Sequence, residues 1–516
     1  MASHVVADQN AIFSFLGDPA THGIRGPVKR IDTHGAAVFL AGPDVYKVKR
    51  AVRFAYMDFS TLDKREAACK AEIAANRDNA AGLYLGVVPI TRDGGNLRLR
   101  GAGEVVEWAV HLRRFDEDAT FDRLAERGPL GAAVIHLLAQ AVVAAHRQAP
   151  IRDGLAATKS LRGVLTETVD ELAAAADVFP PLAVDALRSN LTEAFGRSEA
   201  LLRRRGSEGK VRRCHGDLHL RNIVLVNGEP VLFDAIEFNE AIATSDILYD
   251  LAFLIMDLCE RKLSADANRL LNEYLWSCDD QLQEIEGLAL LPLFLSLRAA
   301  IRAKVTAAQL QLDPGTARMR QEAQAYLETA RRFLDPMPAR LIAIAGLSGT
   351  GKSTLAAVVA PSLGLAPGAL HMRSDIERKR LSGVAATQHL PATDYRPEVS
   401  VQAYRRLRVL AEVGLRAGRC VILDATYRDA REREKVERLA ARLRVGFVGL
   451  WLEAPTEILT QRVAMRQGDA SDATLAVVSA QAKQDVGRVT WWRLDTGVPL
   501  ERLKVAVLAL IAQAPC

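Results

Sequence analysis

The pattern of apolar and polar positions changes character along the 516 residues. Over 28–52, apolar alternation in AAVFLAG and DVYKVKR is interrupted at Gly42-Pro43, which predicts strands joined by a tight turn. Residues 60–80 read as a polar-faced helix, and 105–114 (VVEWAVHLRR) as a further strand. From 130 to 202 the pattern is helical and rich in Ala, Leu and Glu. A strand–loop–strand unit follows at 211–233, and helices return over 247–334. Strands first and helices second predict an α+β domain of two lobes. At Asp335-Pro336-Met337-Pro338 two prolines stop the helical pattern and extend the chain. Beyond them apolar strands at 340–345, 369–373, 420–424, 446–452 and roughly 490–495 alternate with helices, which predicts a doubly wound sheet of five parallel strands. The expected domains are 1–335 and 336–516.

Composition changes this picture little. With 49% hydrophobic and 25% charged residues, the chain can bury a large core. The net charge of +5 comes from scattered Arg residues and suits anionic ligands such as nucleotides. No basic stripe with interleaved aromatics argues for nucleic acid, and Trp491-Trp492 read as part of a buried strand. Cys69, Cys214, Cys259, Cys278, Cys420 and Cys516 form no CxxC pair and no Cys/His cluster, against structural zinc and a disulfide framework. The N-terminal MASHVVADQNAIFSFLGD lacks a basic segment followed by an apolar core. The most apolar stretch, 287–301, is too short to span a bilayer and contains Arg298. A reducing cytoplasm, without membrane contact, is therefore expected.

The most specific chemistry lies in LIAIAGLSGTGKST, an apolar strand, a GxxxxGKS loop and a helix start in that order. Gly346, Gly349 and Gly351 let backbone N–H groups curl around phosphate oxygens, and Ser348, Thr350 and Thr354 complete the loop. Lys352 is expected to reach the β- and γ-phosphates of ATP, and Ser353 to ligate Mg²⁺. In MRSDIERKRL, Asp375 at the carboxyl edge of the second strand could take the proton of an attacking hydroxyl, and Arg378 could orient an anionic acceptor. The alternative is that Ser374-Asp375 caps the following helix. Asp424, closing CVILDAT, is either a Walker-B-like carboxylate holding Mg²⁺ through water or another cap. Arg462 and Arg466 lie four apart in ILTQRVAMRQ, either on a lid that closes on the phosphates or on a solvated face. On GLSGTGKST, RSDIERKRL, VILDAT and RVAMRQ, residues 340–516 resemble the P-loop kinases that include polynucleotide 5′-hydroxyl kinase, chloramphenicol phosphotransferase, zeta toxins and gluconate kinase. These motifs do not specify the acceptor.

A second constellation is CHGDLHLRNIVLVNGEPVLFDAIEFN. Asp217 can accept a hydroxyl proton, Asn222 on the same loop can hold Mg²⁺, and Asp234 returns on the next hairpin to hold the same metals. His215 packs or orients the loop, and His219 does either. Asp246 and Asp250, four apart in SDILYDLAF, either buttress this loop or form a surface carboxylate pair. The string resembles the aminoglycoside phosphotransferase family, which shares the protein-kinase-like fold, and the resemblance spans about 25–335. It implies a strand lysine and a helix glutamate. Lys47 and Lys49 share one strand face; Lys47, framed by Val45 and Val48, is chosen, with Glu72 rather than Glu66 as its partner. It further implies a hinge near 112–114 whose backbone holds adenine. The phosphate-covering loop departs from the family, since Thr33-His34-Gly35-Ala36 has a single glycine.

Together these readings predict a bifunctional ATP- and Mg²⁺-dependent phosphotransferase acting on small-molecule hydroxyls. The alternatives are one active P-loop kinase with a regulatory or ligand-binding kinase-like half, or a nucleic-acid 5′-hydroxyl kinase.

Overall fold

The computed structural model describes residues 4–54, 57–312, 317–385, 388–390, 396–465, 471–472 and 474–514. They form two compact units, Met1–Val164 with Leu202–Asp257 and Leu165–Leu201 with Leu258–Cys516. The units thus divide elsewhere than at 335/336, because the helices between 258 and 332 belong to the second.

The first unit is built on an antiparallel sheet of β1 (Lys29–Asp32), β2 (Ala36–Ala41), β3 (Asp44–Lys49), β4 (Tyr84–Asp93), β5 (Asn96–Leu99) and β6 (Glu104–Arg113), in the order β1-β2-β3-β6-β4-β5. Both faces are covered. Phe39, Val48, Ala109 and Ile90 pack on the helix Asn10–Gly17. Leu40, Val45, Val110 and Leu112 pack with Cys69 of the helix Leu62–Asn76. Burial on both faces explains why β2 is a continuous apolar run. The β4–β5 hairpin had no counterpart in the sequence pattern. Its alternation is broken by register shifts at Tyr84/Gly86 and Ile90/Thr91, so period two is lost along the strand. The rest of the unit contains β7 (Val211–Arg213), the hairpin β8 (Ile223–Val226) and β9 (Glu229–Leu232), and β10 (Thr244–Asp246), which pairs with β7. Beneath them runs the helix Ile247–Glu260, with Leu248, Leu251, Ala252, Leu254 and Ile255 wholly buried.

The second unit holds the expected five-stranded parallel sheet: β11 (Arg340–Gly346), β12 (Leu370–Arg373), β13 (Val421–Asp424), β14 (Gly446–Glu453) and β15 (Trp492–Asp495), in the order β12-β13-β11-β14-β15. Ile342, Ile344, Ile422, Val448 and Leu450 form its core with Leu355 and Val359 of the helix Lys352–Val359 and Val507 of the helix Leu500–Gln513. The chain leaves β11 toward β12 on one side and later reaches β14 on the other. The loop after β11 therefore opens on the crevice at the carboxyl ends of the strands, where open α/β sheets bind ligands. The expectation of a buried Trp491-Trp492 strand is corrected. Trp491 packs over Gly449, but β15 is an edge strand and Trp492 is 61% exposed. Among the described residues no helix is long and apolar enough to cross a membrane. None of the five cysteines among these residues forms a disulfide.

Candidate active sites

In the first unit β3 directs Lys47 and Lys49 toward the helix Leu62–Asn76, as the two-residue period requires. The Lys47 ammonium lies 2.9 Å from Glu72 Oε1 and 2.5 Å from Asp234 Oδ1. Lys49 binds the other Glu72 oxygen at 2.6 Å and also pairs with Glu237. Lys47 thus bridges the helix glutamate and the hairpin aspartate, whereas Lys49 is sealed beneath at 3% side-chain exposure. Glu66 is engaged on the surface with Lys70. Burial pushes the Glu72 carboxyl up, yet the two lysines hold it down at about 2. Burial likewise disfavours the Lys47 charge, but Asp234 and Glu72 outweigh it and raise the ammonium above its usual value.

The catalytic-type loop is pinned from several sides. The His215 ring is buried, and its Nε2 lies 2.9 Å from the Phe233 carbonyl. A carbonyl only accepts, so Nε2 carries the proton. Gly216 N–H donates to Asp250 Oδ1 at 2.8 Å, and Leu220 N–H to Asp257 Oδ2 at 3.0 Å. Asn222 Nδ2 donates to Asp217 Oδ2 at 3.0 Å, and Phe233 N–H to the Asn222 carbonyl at 3.0 Å, which ties the loop to the hairpin that ends at Asp234. Asp234 sits at φ +62°, the left-handed region that aspartate tolerates better than most residues. Its amide donates to the Tyr84 hydroxyl at 3.1 Å, and Ala235 N–H to Asn76 Oδ1 at 3.0 Å. The oxygen donors of Asn222 and Asp234 suit a hard divalent cation such as Mg²⁺.

Of the open alternatives for Asp246 and Asp250, the buried one holds. Asp250 anchors Gly216, while Asp246 takes the Arg205 guanidinium at 2.6 and 2.8 Å. Asp250 also meets His146 Nε2 at 3.2 Å. With Cys214, these two place potential ligand atoms within 4.8 Å of one another. The expectation of no Cys/His cluster is corrected at this point, because residues remote in sequence meet only on folding. Arg113 N–H donates to the Leu83 carbonyl at 2.8 Å and Arg114 N–H to the Pro43 carbonyl at 2.8 Å, so neither amide is on offer to adenine. Gly35 packs under Met57, where a Cβ would lie 3.0 Å from the methyl carbon.

In the second unit Gly346 and Gly351 have structural reasons to be glycine. A Cβ on Gly346 would lie 2.5 Å from the Leu452 carbonyl of β14, and Gly351 has φ +86°. Lys352, at the start of its helix, donates to the Leu347 carbonyl at 2.9 Å across the loop, and Thr350 Oγ1 bonds the same carbonyl at 2.8 Å. Ser348 N–H donates to Gln481 Oε1 at 2.9 Å. Ser353 Oγ donates to Asp424 Oδ2 at 2.6 Å, an oxygen pair that again suits Mg²⁺. Asp424 ends β13 and caps no helix, since Asp429 caps the helix Ala430–Leu443. Burial raises the Asp424 carboxyl, but His371 and Arg373 hold it well below the usual carboxylate range.

Asp375 lines the same cleft of about 1060 Å³ as Gly349, Lys352, Thr354 and Asp424. It lies in the first turn of the helix Ser374–Leu381, which has no side-chain cap hydrogen bond. Burial pushes its carboxyl up, against Arg373. Arg378 reaches the cleft with Nη1 2.9 Å from Ser400 Oγ. Arg462 also lines it, donating to Thr496 Oγ1 at 3.1 Å and to the Thr496 carbonyl at 2.8 Å. Arg466 lies outside the described residues. Glu237, Tyr84, Asp257, His371 and Gln481 were not singled out beforehand. Only His371 left a trace in the pattern, as a polar residue inside the apolar strand β12.

The two units therefore present a kinase-like lobe pair with a loop-borne Asp/Asn/Asp set, and a P-loop α/β sheet with its own acid residues. Both are architectures that phosphotransferases use. Residues 86–288 match the model of the phosphotransferase enzyme family, and residues 341–484 that of the AAA domain. The uncharacterized proteins Rv2004c of Mycobacterium tuberculosis and Mb2027c of Mycobacterium bovis are each 29% identical over 91% of this chain and 93% of their own. Among solved structures, a choline/ethanolamine kinase family protein from Mesorhizobium loti covers 63% of this chain and 94% of its own at 14% identity and TM-score 0.38. A gluconokinase from Sinorhizobium meliloti covers 35% and 94% at 20% identity and TM-score 0.24.

Proposed function

We propose that the chain is a bifunctional ATP-dependent phosphotransferase, each part transferring the γ-phosphoryl group to a small-molecule hydroxyl. In sequence, the two parts are 1–335 and 336–516. In the first, Lys47 held by Glu72 engages the nucleotide phosphates, Asp217 accepts the acceptor's proton, and Asn222 and Asp234 hold Mg²⁺. In the second, the loop from Gly346 to Thr354 cradles the phosphates with Lys352, and Ser353 and Asp424 hold Mg²⁺. There Asp375 accepts the proton, Arg378 orients an anionic acceptor, and Arg462 serves the phosphate side. Bound Mg²⁺ supplies neutralisation of charge on the phosphates. The observation that carries the reading is that Lys352, Asp375 and Asp424 line one cleft, which supports a cation, a base and a metal carboxylate acting on one acceptor.

A second reading keeps the P-loop part as the sole kinase and the first as a ligand-binding or regulatory module. The engaged hinge amides of Arg113 and Arg114 favour it. A phosphate-transfer screen of the full chain against sugars, aminoglycosides, nucleosides and 5′-hydroxyl oligonucleotides decides between them. The bifunctional reading expects two reactions, one lost in Asp217→Asn and the other in Lys352→Ala. A single reaction silenced by Lys352→Ala and untouched by Asp217→Asn favours the second reading.

A further inference from the structure

β12 is the edge strand of the parallel sheet, so its outer backbone groups have no neighbouring strand to bond. A helix replaces that strand. On one face of the helix Ser264–Ser277, at four-residue spacing, stand Asn268, Asn272 and Trp276. Asn268 Nδ2 donates to the Ala369 carbonyl at 3.0 Å, and Asn272 Nδ2 to the same carbonyl at 3.3 Å. Asn272 Oδ1 accepts from His371 N–H at 2.7 Å, and Trp276 Nε1 donates to the His371 carbonyl at 3.0 Å. Three side chains therefore reproduce the pattern of a strand and hold His371 at both its amide and its carbonyl. The fit is close on the strand side as well: a Cβ on Gly368 would lie 2.7 Å from Asn268 Nδ2. The contact continues past the helix, where Arg380 donates to the Trp276 carbonyl at 2.6 Å and the Cys278 carbonyl at 2.9 Å.

The clamped residue faces the P-loop site. His371 Nε2 lies 2.9 Å from Asp424 Oδ2, the oxygen that also accepts from Ser353. A carboxylate held by two donors has its orientation set, and the partners that orient a metal-binding group typically contribute 10–100-fold to metal affinity, on the order of 1–3 kcal/mol. The helix lies within residues 86–288, the segment that matches the phosphotransferase family, although it packs in the second unit.

We infer that His371 is a positioning residue for Asp424, held in place by Asn272 and Trp276, so that the working P-loop site extends upstream into the helix Ser264–Ser277. The inference rests on the reading of Asp424 as an Mg²⁺-holding carboxylate. The test uses the full chain carrying Lys47→Ala to weaken the first nucleotide site. Binding of a non-hydrolysable ATP analogue is measured by calorimetry with Mg²⁺ and with EDTA. His371→Leu should lose about tenfold or more of the tightening that Mg²⁺ gives, with affinity in EDTA unchanged. His371→Gln, whose amide can still donate, should recover most of it. Trp276→Phe, which keeps the ring but removes the N–H, should lose a smaller part. Undiminished Mg²⁺ tightening in both His371→Leu and Trp276→Phe overturns the inference. If His371→Leu also loses affinity in EDTA, the loop itself is disturbed. The decision then passes to the milder pair: a Gln variant no better than Leu, or a Trp276→Phe variant with full tightening, overturns it. Lys352→Ala separates the underlying reading, because that reading fails if the variant binds the analogue normally or if Mg²⁺ has no effect on the parent chain.

Discussion

At the scale of single residues, the two candidate bases differ in surroundings. Asp217 is 40% exposed at its side chain and sits beside Asn222, whereas Asp375 is recessed in the P-loop cleft. Burial raises the Asp375 pKa above the ordinary carboxylate value, and only the ionised form can accept a proton. The rate of the P-loop reaction should therefore fall as pH drops through a value above the usual 3.8, with an acid limb displaced upward. Asp375→Asn should leave nucleotide affinity near normal and cut transfer by ~10²–10⁴-fold. Wild-type turnover in that variant, measured on the identified acceptor, removes Asp375 from the role. Glu72 behaves oppositely. Its carboxyl is held at about 2 in the folded chain against a usual 4.5, so it stabilises the fold above pH 4.5 and that contribution is lost as pH falls toward 2. Thermal melts across that range should show a shallower dependence in Glu72→Gln; equal slopes count against the ion network.

At the scale of elements, the helix Ile247–Glu260 supports the catalytic-type loop. Asp250 and Asp257 stand seven apart, two turns along one face, and accept from Gly216 and Leu220. Asp250→Ala leaves the Gly216 amide and His146 without that carboxylate, which costs about 1–3 kcal/mol of local stability. The Asp217-dependent reaction should fall while the Lys352-dependent one persists; loss of both points to global unfolding. The edge of the parallel sheet makes the second element-scale case. A fragment starting at 336 lacks Asn268, Asn272 and Trp276 and leaves β12 open for pairing with other chains. It should melt lower and aggregate more readily than a fragment starting at 258. Equal melting and equal monodispersity contradict this.

At the scale of the whole molecule, the chain carries two independent answers to one electrostatic problem. The first gathers lysines and carboxylates from strand, helix, loop and hairpin into a buried network. The second, as proposed, would offer backbone amides to phosphate at a helix start and add side chains at the carboxyl ends of the strands. Because the two proposed sites share no residue, Asp217→Asn and Lys352→Ala should behave independently. In a double variant the two losses should appear together without interaction. Non-additive effects on either reaction, measured by initial rates with each acceptor, indicate one coupled device.

The sequence alone determined the parts whose chemistry is local. GLSGTGKST needs its glycines, lysine and serine in one short loop, and HGDLHLRN needs its aspartate and asparagine five apart, so each motif is readable from a few residues. The three central strands β11, β13 and β14 were equally legible, since burial on both faces makes each a nearly continuous apolar run, whereas β15 lies exposed at the edge. Tertiary structure decided what depends on residues far apart in the chain. Lys47 and Lys49 have the same periodicity, and only the approach of Asp234 separates the bridging lysine from the sealed one. Asp424 read equally well as a cap until folding put Ser353 and His371 on its oxygen. Most plainly, the prolines at 336 and 338 mark a break in secondary structure, but compactness follows side-chain contacts. The bonds from Asn268, Asn272 and Trp276 to β12 draw helices written before that break into the fold that comes after it.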